Sequence, residues 1–112
     1  MIIKGTSLIM TRGDTEPLTV SCPSKPFVDG DIVELTVRKA AGFGPALIHK
    51  KVTQFTEEGK AQFEFEHADT RKLDFGTYSY DVQVTYADIG VKTIIKPSDF
   101  VLDKENTYED EV

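Results

Sequence analysis

A chain of 112 residues in which 19 Asp and Glu outnumber 13 Lys and Arg carries a net charge of −6. That balance argues against nucleic acid and against an anionic membrane surface as partners, because both are recognised through a Lys/Arg footprint. The length fits one domain that buries roughly 65% of the surface its unfolded chain exposes, and a lone cysteine, Cys22, permits no internal disulfide.

Nothing demands an oxidising compartment. The opening Met1-Ile2-Ile3-Lys4-Gly5 lacks the uninterrupted apolar run of a signal peptide, and no stretch has membrane-spanning length. The expectation is a protein that is cytoplasmic when synthesised.

Taken in order, residues 6–11 read as a first strand with Leu8 and Met10 on one face, and Arg12-Gly13-Asp14 as the turn that ends it. Leu18, Val20 and Cys22 alternate with Thr19 and Ser21 in a second strand, and Pro23 and Pro26 hold the loop that follows. The third strand places Val33, Leu35 and Val37 inward and Glu34, Thr36 and Arg38 outward. A Gly-rich connection, residues 40–45, leads to a weaker strand over residues 46–53, where Lys50 and Lys51 suggest an exposed edge. Ile48, Lys50 and Val52 are the candidate interaction residues there.

After the turn Thr56-Glu57-Glu58-Gly59, Ala61, Phe63 and Phe65 face in from a fifth strand. Residues 69–73 suggest one helical turn with Asp69 capping it. From Tyr78 to Tyr86 every even position is apolar or aromatic and every odd one polar, so this sixth strand has one buried and one wet face. Its approach, Asp74-Phe75-Gly76 and then Tyr78, resembles the tyrosine corner of immunoglobulin-like sandwiches. Leu73, Gly76, Tyr78 and Tyr80 form this structural corner, and the Tyr78 hydroxyl is expected to bond to backbone within residues 69–75.

Asp88-Ile89-Gly90 turns into a seventh strand over residues 91–95, which Pro97 interrupts and Phe100-Val101-Leu102 resumes. Short strands at regular spacing predict an all-β fold, a seven-stranded antiparallel immunoglobulin-like β-sandwich. It covers residues 1–103 and leaves residues 104–112 as an acidic C-terminal tail. The inward parity of Val33, Leu35, Val37, Phe63, Phe65, Tyr80, Val82 and Val84 predicts one core shared by two sheets. An antibody-type domain does not fit, because paired cysteines and a tryptophan are absent and Tyr80 stands where the second cysteine would.

Catalytic and ligand-binding chemistry finds little to build on. Arg12-Gly13-Asp14 spells an integrin-recognition tripeptide but also serves as a plain turn. His49 and His67 lack partners at metal-ligand spacing, and Cys22 lacks a nearby base or helix N-terminus. Gly42-Phe43-Gly44-Pro45 opens no helix and so does not suit a phosphate, and Glu57-Glu58 reads as a solvated turn. With no readable nucleophile–base set, the expectation is a non-enzyme without catalytic, metal-binding or cofactor-binding residues.

Three segments, taken together, carry a family resemblance. Met10-Thr11-Arg12-Gly13-Asp14-Thr15 with Leu18-Thr19-Val20 is the first, and Gly30-Asp31-Ile32-Val33-Glu34-Leu35-Thr36-Val37-Arg38-Lys39 the second. The third is Asp69-Thr70 through Leu73 followed by Gly76-Thr77-Tyr78-Ser79-Tyr80-Asp81-Val82. In this order they resemble small β-sandwich domains of bacteriophage and prophage tail proteins, similar to the N-terminal domain of siphophage baseplate upper proteins. The resemblance implies a structural or adaptor module of the virion that needs no cofactor. Its partners would be other phage tail or baseplate proteins, and it would self-associate weakly until a partner ring is present. The alternative is a bacterial immunoglobulin-like binding or adhesion domain unrelated to phage.

Overall fold

The computed structural model describes residues 1–105. Its strands are β1 (Ile2–Lys4), β2 (Ser7–Thr11), β3 (Glu16–Val20), β4 (Ile32–Arg38), β5 (Ile48–Val52), β6 (Ala61–Phe65), β7 (Gly76–Tyr86) and β8 (Gly90–Asp103), with the helical turn α1 (His67–Thr70) between β6 and β7. The fold is all-β. A six-stranded sheet in the order β1-β2-β8-β7-β4-β5 is covered by a two-stranded sheet, β3-β6.

Period-two alternation builds the core. β4 buries Val33, Leu35 and Val37, and β7 buries Tyr78, Tyr80, Val82, Val84 and Tyr86. Their register sets Val33 opposite Val84, Leu35 opposite Val82 and Val37 opposite Tyr80, so the apolar faces coincide. Ala61, Phe63 and Phe65 of β6 and Leu18 and Val20 of β3 meet them from the second sheet in one cluster. Each large apolar side chain buried in this way contributes about 1.5–3 kcal/mol.

The structure departs from an all-antiparallel, seven-stranded arrangement. β2 runs parallel to β8, Leu8 opposite Phe100 and Met10 opposite Leu102. β1 is an additional strand at the margin, folded back on β2 with Ile2 opposite Ile9. The first expected strand starts at Ser7, the second ends at Val20 before Cys22, and the fourth spans only Ile48–Val52. The helical turn is His67–Thr70 rather than residues 69–73.

The last strand is one strand through Pro97. The β7–β8 register slips between Tyr80/Val82, and Pro97 has no ladder partner there. A proline at such an irregularity removes no hydrogen bond. The fold also extends past position 103, because Arg12 Nη2 lies 2.7 Å from Glu105 Oε1. Residues 106–112 of the expected acidic tail lie outside the described residues.

Candidate interaction edges and the Tyr78 corner

The chain leaves β6 through α1. The Glu66 backbone N–H donates to Asp69 Oδ2 at 2.7 Å, so Glu66 holds the cap position and Asp69 the third helical one, correcting the expected cap. The Leu73 N–H then donates to Thr70 O at 3.0 Å, and Leu73 packs on the core margin. Gly76 opens β7 exposed, and Tyr78, 5% exposed, donates its hydroxyl to Asp74 O at 2.7 Å. Tyr80 donates its hydroxyl to Thr6 O, tying β7 to the β1–β2 turn. Burial raises the hydroxyl pKa of both tyrosines, and burial with the Cys22 hydrogen bond pushes Tyr86 up to about 12. Tyr78→Phe should lower the unfolding free energy by about 1 kcal/mol, measured by denaturant titration, while leaving the fold intact.

The Arg12-Gly13-Asp14 turn docks on this corner. Arg12 Nη1 donates to Leu73 O at 3.1 Å, and its guanidinium lies over the Phe75 ring at 5.9 Å. The same guanidinium holds the Glu105 carboxyl below the usual glutamate range. Gly13, at φ +86°, turns its N–H onto Thr70 Oγ1 at 2.7 Å, and its carbonyl accepts from His67 Nδ1 at 2.6 Å. A carbonyl only accepts, so Nδ1 carries the His67 proton. The tripeptide is thus bonded into the fold, with the Arg12 side chain only 16% exposed.

β5 stands at one margin of the large sheet. Its alternation turns the three candidate residues inward. Ile48 is buried, Val52 packs against the core, and Lys50 Nζ reaches Asp69 Oδ2 at 2.7 Å. Ile48, Lys50 and Val52 therefore line the inner face, and His49 and Lys51 are the exposed ones. His49 Nε2 donates to Glu34 Oε2 at 2.7 Å across the outer face. The backbone edge of β5 remains a candidate contact; of those three side chains Ile48 is buried, and Lys50 and Val52 are part-exposed.

A longer edge lies within β8. β2 pairs only with residues 100–103, whereas β7 accompanies β8 from Gly90 onward. Residues 90–97 thus have a strand neighbour on one side only among the described residues. Val91 there is 60% exposed. The signal stood in the sequence: Val91-Lys92-Thr93-Ile94-Ile95-Lys96-Pro97 joins strand-forming residues to the lysines and proline typical of an edge.

Cys22 is half-buried, its Sγ 3.6 Å from Ser24 Oγ, and hydrogen bonding from Ser24 and then Tyr86 holds the thiol below its ordinary pKa. Among the described residues no cluster of three His, Cys, Asp or Glu could hold a metal ion, and no helix is long and apolar enough to cross a membrane. No protein-family model matches the chain, and no curated protein matches it.

Proposed function

We propose that this chain is a non-catalytic assembly module of a phage or prophage tail or baseplate, acting through protein–protein contacts at its sheet edges. The observation that carries this reading is where the resembling segments fall. Arg12-Gly13, Gly30-Asp31 and Gly76-Thr77-Tyr78 lie at the turn docked on α1, at the turn before β4 and at the tyrosine corner. These are the places where such a sandwich is pinned, so the resemblance rests on positions with structural work.

The finer fold reading is immunoglobulin-like. β8-β7-β4 facing β3-β6 has the order of strands G-F-C facing B-E, β5 lies beside β4 as in variable-type domains, and Tyr78 sits at the E–F corner. Sheet margins supply docking sites by strand addition, which requires no cofactor.

A second reading, an immunoglobulin-like binding domain unrelated to phage, draws on the loops at one end. Val28, 62% exposed, and Ile89, 54% exposed, flank an Asp31 Oδ1 bond to the Ala87 N–H that holds the two loops together. Tagged protein recovered from a lysate of the source cell after prophage induction separates the two. Tail or baseplate proteins are the expected companions. Recovery of only metabolic or regulatory proteins, or turnover of a substrate by the pure protein, would overturn the proposal.

A further inference from the structure

We infer that the open edge of β8, residues 90–97, is a strand-addition site for the acidic C-terminal segment of a second copy of this chain. The inference rests on reading the chain as an assembly module, and it names the partner and the contact.

Two features meet at this site. The first is the backbone edge itself, without a strand neighbour among the described residues where β2 stops short. The second is a hollow of ≈ 160 Å³ beside it, lined by Ile95 of β8, Ile3 and Thr6 of the β1–β2 hairpin, Leu18 and Val20 of β3, and Tyr80. β3 closes its own sheet on one side only, by pairing with β6. The hollow therefore lies beside two strands that, among the described residues, each have a side without a strand neighbour, Ile95 in β8 and Leu18 to Val20 in β3. An added strand would gain ladder bonds from a backbone edge and bury alternate side chains in the hollow.

Charge selects the occupant. Residues 90–97 carry Lys92 and Lys96 and no acid, and exposed Lys4 ends β1 nearby, in a chain whose net charge is −6. Lys92 stands opposite Val84, whose side chain is buried, so it shares the hollow's face of the sheet. Edge lysines repel indiscriminate pairing. They accept a strand that brings carboxylates. Residues 106–112, Asn-Thr-Tyr-Glu-Asp-Glu-Val, contain Glu109, Asp110 and Glu111 and no base.

Reach keeps the chain's own segment from the Lys92 end of this edge. Glu105 is fixed at Arg12, beside the Asp103 end of β8. Lys92 lies about 36 Å back along the strand at about 3.3 Å per residue. The segment from position 105 to 111 spans at most about 22 Å. A second copy has no such limit, and a contact of one copy's tail with the next copy's β8 is heterologous, the kind that closes a ring or extends a filament.

Sedimentation of the full chain tests this by charge exchange. Wild type should self-associate, at least tenfold more weakly in high salt than in low salt. Lys92→Glu with Lys96→Glu should abolish association, and so should Glu109→Lys with Asp110→Lys and Glu111→Lys. Mixing the two reversed proteins should restore it, which also shows both are folded, and slow exchange of the Val91–Ile95 amides should accompany it. A wild type that stays monomeric at millimolar concentration overturns the inference, as does association unchanged by either reversal or no rescue on mixing. An unrelated acidic peptide that binds the edge while copies stay apart overturns the choice of partner. None of these results bears on whether tail proteins are recovered from the lysate, so the two proposals fail separately.

Discussion

Phe100→Ala should lower the unfolding free energy by about 3–5 kcal/mol, the largest effect expected of any single truncation in this core. Phe100 is fully buried on β8. Its ring lies 5.6 Å from that of Phe65 on β6 and 6.3 Å from that of Tyr80 on β7, near edge-on to the latter. It thus joins the two layers as well as filling space, and each aromatic pair adds about 0.5–1.5 kcal/mol beyond the area it buries. The covering sheet has only two strands, so few neighbours can close in on a cavity left there. A domain of this size has about 5–15 kcal/mol in total, so the variant should be marginal at room temperature. Denaturant titration should show a lower midpoint at an unchanged slope. Phe100→Leu should lose less, because it keeps most of the volume. A loss below about 1 kcal/mol for the alanine variant would mean that Phe100 does not bridge the layers.

The inward strands were legible because one face of each is buried. Leu35 and Val82, or Phe63 and Phe65, alternate with polar residues, and the structure buries all four. β1 carried no such pattern, since Ile2, Ile3 and Lys4 are all exposed and no face is selected. β5 was ambiguous for a related reason. Both its faces carry a lysine, and the inward one is received by Asp69 on α1. The parallel β2–β8 pair joins positions 8 and 100, a long-range contact on which local patterning is silent. The Tyr78 corner was readable because its bond closes over four residues, Tyr78 to Asp74. The Arg12-Gly13 dock needs Leu73, Thr70 and His67 to arrive from elsewhere, and the candidate β8 edge depends on where β2 stops. The dock and the bounds of that edge are products of tertiary structure, although the lysines and proline of residues 91–97 already marked the stretch as edge-like.

Asp31→Ala should cost about 2–4 kcal/mol, although the residue is polar and lies just outside a strand. Val28-Asp29-Gly30-Asp31 is a tight turn closed by the Asp31 N–H onto Val28 O at 3.0 Å, with Gly30 at φ +98° where an L side chain would be strained. The Asp31 side chain is 3% exposed and makes two further bonds. Oδ2 accepts the Val28 N–H at 3.0 Å, locking the turn, and Oδ1 accepts the Ala87 N–H at 3.0 Å, tying that turn to the β7–β8 hairpin. Truncation leaves both donors without their acceptors at about 1–3 kcal/mol each, partly relieved because Val28 and Ala87 lie where water can reach. Asp31→Asn separates size from hydrogen bonding. It fills the same space but sets an NH2 group against one of the two N–H donors, so it should lose at least half as much as alanine. Amide exchange should then speed up at Val28 and Ala87 while the β4–β7 ladder stays protected. Equal stability of wild type and both variants would mean that this carboxyl does not hold the two loops together.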